Sequence, residues 1–142
     1  HQLNTVVAKL AKNDLQSAVR MVEKIRDKEY ALLAMDGVAS QFGATLRGKI
    51  DAQAVVSICM KAQQQLRPGC VSGFASGLTE GGKPDEEYEA TARFCVTPGM
   101  GNSEQDACFT TLVSSLYSWY TKDKANQLCV RVPEEYKTLC RN

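Results

Sequence analysis

The chain is short of the side chains that most catalysis needs. Histidine occurs once, at position 1, and a residue at a mobile end gives no oriented base, which excludes Ser-His and Cys-His hydrolase arrangements. No G-x-S-x-G is present, because in Gly73-Phe74-Ala75-Ser76-Gly77 the serine falls one place late. Gly99-Met100-Gly101-Asn102 lacks the Lys-Ser/Thr of a phosphate loop. The formal charge is only +1 and Lys and Arg form no run, so no field gathers phosphates and nucleic acid is not an expected partner. Charged residues interrupt the sequence too often for an apolar run of roughly 18 residues, so no membrane span is expected. The tight C-x2-4-C pairs of a zinc site are missing, and neither metal nor cofactor is called for. Carboxylate neighbours do occur, Glu86 with Glu89 and Glu134 with Glu135, but at helix starts in water, where pKa values are not driven apart. The acidic run after Pro84 reads as a first turn matched to the helix dipole.

What is present is a repeat. Three phrases, AVVSIC, ATARFC and KANQLC, end at Cys59, Cys95 and Cys129, spaced by 36 and then 34 residues. Each is followed by a gap and a second cysteine, Cys70, Cys108 or Cys140, opening another segment. A period of this size is that of one helix-turn-helix unit in an α-solenoid. Moving back by 36 residues finds a fourth copy, AVRMVE, with Glu23 and Ala34 where cysteines would stand. Ala34-Met35-Asp36-Gly37-Val38-Ala39-Ser40 then matches Cys70-Val71-Ser72-Gly73-Phe74-Ala75-Ser76 in spacing.

No period-2 alternation competes with helical periodicity, so the expected fold is all-α, one domain of about four helical hairpins with a repeat of 34–38 residues. A chain of 142 residues buries about two thirds of its unfolded surface, enough for a core. The hairpins are expected near residues 13–43, 51–80, 84–121 and 123–142, after a capping helix over 3–12 that carries Leu3, Val6, Val7 and Leu10 on one face. Asn13, Asp51 and Ser103 are the expected N-caps, with Asp106 in the capping-box place and Gly43 as a C-cap. Pro68 suits the first turn of its helix.

Six cysteines with none left over favour an oxidising compartment, secreted, extracellular or periplasmic. A start at His1, with neither methionine nor apolar leader, fits a processed mature chain or a trimmed one. Six cysteines allow 15 connectivities, and repeat symmetry favours neighbours: Cys59 with Cys70, Cys95 with Cys108, Cys129 with Cys140. Each pair straddles its own turn, where facing Cα atoms on antiparallel helices meet the roughly 4.4–6.8 Å that a disulfide needs. Each closed loop is worth about 3 kcal/mol in the chain-entropy model. The first hairpin has no staple and is expected to be the softest.

From Ala107 to Thr121 there is no charge. Cys108, Phe109, Leu112, Val113, Leu116, Trp119 and Tyr120 share one side of that helix, and Thr110, Thr111, Ser114, Ser115 and Ser118 fill the rest. Two readings stay open. The helix is packed on both sides, with hydroxyls bonding back to i−4 carbonyls, or its hydroxyl face meets another chain through Ser114 and Ser118, anchored by Tyr117, Trp119 and Tyr120.

The phrase from Gly69 to Leu78, with Cys95 ending the next helix, resembles the tetratricopeptide superfamily, especially its secreted, cysteine-rich Sel-type branch. Cys70-Val71-Ser72-Gly73-Phe74 and Phe94-Cys95-Val96-Thr97-Pro98 are similar to phrases of periplasmic immunity proteins of type VI secretion amidases. Both resemblances imply protein binding without catalysis, as an inhibitor or immunity protein would do. A self-assembling extracellular subunit and a carrier of a small apolar ligand are the alternatives.

Overall fold

The computed structural model describes residues 15–45, 51–82 and 86–141. The expected capping helix over 3–12, Asn13 and the Pro84 helix start lie outside these residues. Among the described residues every regular element is helical. Residues 15–23 form α1. Then follow α2 (Lys28–Thr45), α3 (Ala52–Met60), a 3-10 turn (Gln64–Leu66), α4 (Arg67–Glu80), α5 (Glu87–Cys95), α6 (Asn102–Trp119), α7 (Lys122–Cys129) and a second 3-10 segment (Glu134–Leu139).

Local chemistry sets several of these boundaries. The Asp27 carboxylate accepts the Tyr30 N–H at 3.0 Å and so caps α2, Asp51 does the same for α3 through Gln53 N–H, and Thr121 caps α7 through Lys124 N–H. Pro68 sits in the first turn of α4, where its missing N–H removes no helical bond. Two expected caps fall elsewhere. Gly43 is inside α2 and buried, held there by packing and not by helix termination. Gly101, not Ser103, is the N-cap of α6, and Asp106 accepts the Tyr136 phenol at 2.7 Å instead of completing a capping box. The second arm of the last hairpin is 3-10 and not α-helical.

The closest packing is between α2 and α4, which run in parallel register. A Cβ at Gly73 would lie 2.8 Å from the Asp36 carbonyl, one at Gly77 2.1 Å from the Ser40 carbonyl, and one at Gly81 2.8 Å from the Ala44 carbonyl. From the other helix, a Cβ at Gly43 would lie 2.5 Å from the Phe74 carbonyl. Backbones at that distance leave room for hydrogen only, and the Ser40 hydroxyl uses the contact to donate to the Gly73 carbonyl. Next to it Phe42, Phe74 and Phe94 form a chain of tilted rings, with centroids 5.7 and 4.6 Å apart, that ties α2 to α4 and α4 to α5. Each ring is worth roughly 1.5–3 kcal/mol of burial. The buried Thr79 and Thr91 hydroxyls share a 2.8 Å hydrogen bond between α4 and α5, and Thr79 also donates to the Ala75 carbonyl, so neither polar group is buried unsatisfied.

Disulfides join Cys59 to Cys70, Cys95 to Cys108 and Cys129 to Cys140, with Cα separations of 5.6, 5.5 and 5.9 Å. Each links the last turn of one helix to the next segment across its own turn. Between α5 and α6 the loop is held by Gln53 donating to the Pro98 carbonyl and by Gln105 donating to the Cys95 carbonyl. Gly99 supplies the left-handed turn there, with φ of +101°. On its far side α6 receives the last segment, where Tyr136 stacks on Phe109 at 4.5 Å.

Candidate functional site

The uncharged stretch forms the body of α6, after Glu104 and Asp106 in its first turns, and its inward row is fixed by spacing. Cys108, Phe109, Leu112, Val113 and Leu116 are all buried, which places Thr110, Ser114 and Ser118 on the exposed side, one turn apart. Ser118 bonds back to the Ser114 carbonyl at 3.1 Å, the i−4 pattern of a hydroxyl on a helix. Ser114 itself is exposed.

Three aromatic residues close the helix and have different surroundings. Trp119 is 63% exposed, although its periodicity places it in line with the buried Leu112 and Leu116; it is the last residue of α6. Tyr117 is engaged within the chain. Its hydroxyl donates to Asn126 and accepts the Arg141 N–H at 2.8 Å, and the Arg141 guanidinium lies 4.9 Å above its ring. Tyr120 is half-buried and packs on the core. The spacing thus brings Ser114, Ser118 and Trp119 to one accessible end, while Tyr117 and Tyr120 support it from below.

A cleft of about 220 Å³ opens between the end of α1, the start of α2 and the first 3-10 turn, floored by Val22, Ala31 and Leu66 and rimmed by Glu23, Arg26 and Lys28. The Glu23 carboxylate accepts the Gln63 N–H at 2.8 Å, so the last residue of α1 is tied to the turn that follows α3.

Among the described residues neither place assembles reactive groups. The carboxylate neighbours of the sequence face bases: Glu89 lies 3.5 Å from Arg131 and Glu134 2.9 Å from Lys137. Among the described residues no three His, Cys, Asp or Glu side chains converge as a metal would require, and no helix is long and apolar enough to cross a membrane.

Gly69, Gly73, Gly77 and Gly81 stand four apart along α4 and its C-cap, a face that the apolar periodicity does not mark. Glycine at every fourth position marks a helix face for close backbone approach, and that spacing was the available signal. No family model, no curated protein and no solved structure matches the chain.

Proposed function

We propose that the chain is a non-enzymatic protein-binding module of helical-hairpin repeats, α-solenoid-like and related in plan to tetratricopeptide arrays. It works in an oxidising compartment, secreted, extracellular or periplasmic, and acts on its partner as an inhibitor or immunity protein does. The observation that carries this reading is Trp119, 63% exposed at the end of a helix whose last three turns carry no charge, beside Ser114 and Ser118. Tryptophan in such a position costs solubility unless a partner covers it, and aromatic anchors of this kind dominate interface energetics. Small hydroxyl side chains next to it let a partner backbone come close. The repeated cysteine pair and the parallel register of α2 and α4 support the repeat reading, and three disulfides support the compartment.

The test uses wild-type chain and Trp119→Ala side by side on the secreted or periplasmic fraction of the source cells. A specific partner retained by wild type and weakened at least tenfold by the substitution, with an unchanged helical signal, supports the reading; ten-fold is about 1.4 kcal/mol, below the roughly 2 kcal/mol of a strong anchor. Equal retention by both chains refutes it, and unfolding of the variant makes Trp119 structural. Trp119 is the single tryptophan, so quenching of its fluorescence by acrylamide, relieved on binding, reports the same event.

A further inference from the structure

The α2–α4 contact carries a template whose two halves recur, unpaired among the described residues, on α2 and on α6. In the repeat register, Gly37 of α2 corresponds to Gly73 of α4, and Asp36, Ser40 and Ala44 of α2 correspond to Thr110, Ser114 and Ser118 of α6. Inside the chain, Gly73 is buried against Asp36 and Ala39 and accepts the Ser40 hydroxyl. At the ends both halves of that contact lie open among the described residues. A Cβ at Gly37 would meet nothing within 4 Å, with Leu33 and Tyr30 on the same side of the helix 73% and 65% exposed, and Thr110, Ser114 and Ser118 are exposed on α6.

From this continuity with the internal contact we infer that the Tyr30–Leu33–Gly37 face of α2 docks a second copy of this chain, through the Thr110–Ser114–Ser118 row of that copy's α6. Ser114 then donates its hydroxyl to the Gly37 carbonyl across the interface, as Ser40 does to Gly73 within the chain. The inference rests on the reading of α6 as a docking helix and names its partner. The two surfaces differ, so the contact is head-to-tail and leaves a free surface at each end of any oligomer. Gln41 and Thr45 stand where α4 has Gly77 and Gly81, so two copies approach closely only at the Gly37 end. One helix pair buries less than the roughly 1,200 Å² of a stable complex, which makes the association reversible and concentration-dependent.

Sedimentation of the oxidised 142-residue chain tests this. The mean mass of wild type is expected to rise steadily with concentration without a plateau at dimer. Gly37→Trp and Ser114→Trp, each at an exposed position and each checked for unchanged helical signal, block opposite faces, so each alone stays monomeric. An equimolar mixture retains one good pair of faces and forms a dimer and nothing larger. Leu33→Glu reproduces the Gly37→Trp result without adding bulk. Wild type that stays monomeric at every concentration, either tryptophan variant assembling as wild type does, or a mixture without dimer overturns the inference. Retention of a foreign partner by wild type and its loss in Trp119→Ala are read separately, so failure of self-association leaves the binding reading standing, and the reverse.

Discussion

The Ser40 hydroxyl donates to the Gly73 carbonyl at 3.1 Å, a side chain of one helix bonding to the backbone of another. This is possible only because α4 presents glycine at every fourth place along the contact. Gly77→Ala is therefore expected to destabilise the fold by at least about 2 kcal/mol, since the new methyl meets a carbonyl that cannot move alone, and overpacking of this kind exceeds the gain in helix propensity. Gly37→Ala, inside α2 with open space around it, is expected to stabilise by roughly 0.5–1 kcal/mol. Urea unfolding of the two variants beside wild type gives opposite shifts in midpoint; shifts of the same sign would remove the close contact as the explanation.

The last hairpin depends on its disulfide more than the others do. Its arms are the eight-residue α7 and a 3-10 segment, and short 3-10 runs have poor hydrogen-bond geometry. Replacing Cys129 and Cys140 together by serine is expected to remove about 3 kcal/mol of restraint on the unfolded chain. Hydrogen exchange should then accelerate over residues 122–141 while α2 and α4 keep their protection. Acceleration spread evenly over the chain would mean that the pair stabilises the fold as a whole.

Tyr136 links that segment to α6, stacking on Phe109 and donating to Asp106. Burial, then the hydrogen bond to Asp106 and the charges of Asp106 and Glu135, push its phenol up to about 12 from 10.0. The folded state holds this proton more tightly than the unfolded state, so the stabilisation is complete below pH 10 and disappears as pH rises from 10 through 12. Tyr88 also titrates late, because burial raises it although Arg131 opposes the shift. Tyrosinate absorbance followed with helical signal between pH 9 and 12 should show a late component that is reduced in Tyr136→Phe. If Tyr136→Phe leaves the absorbance curve unchanged, the phenol is not held as the geometry requires.

Covalent and periodic features were legible in advance, and backbone contacts were not. The repeat symmetry of the cysteines favoured a staple across each turn, as found, and Asp51 and Pro68 marked the starts of α3 and α4. Gly43 looked like a helix end because glycine is common there, yet what it meets is the Phe74 carbonyl on another helix, a neighbour that no local pattern encodes. Asp106 had the spacing of a capping residue, but a phenol 30 residues along the chain competes for it. Trp119 shares the periodicity of the buried side of α6, and periodicity carries no information on whether anything lies beyond the last turn. Counting staples alone makes the first hairpin the softest. That count leaves out the glycine contact that holds α2 to α4.

The first hairpin offers a direct test of the repeat. Glu23 and Ala34 occupy the cysteine places and are 11 residues apart in sequence, the separation found for Cys59–Cys70 and for Cys129–Cys140. If α1 and α2 form a hairpin equivalent to the others, their Cα atoms lie within the disulfide range. The double variant Glu23→Cys with Ala34→Cys is then expected to oxidise to a fourth bridge, read as the loss of two hydrogens by mass and a single new cross-linked peptide without reductant. The loop closed is as long as the existing ones, so a gain of up to about 3 kcal/mol is expected, lessened by loss of the Glu23 bond to Gln63 N–H. Glu23→Ser with Ala34→Ser gives that loss alone and is the proper reference for the gain. Two free thiols in the oxidised, folded double variant would show that the first hairpin departs from the repeat, whatever its sequence register suggests.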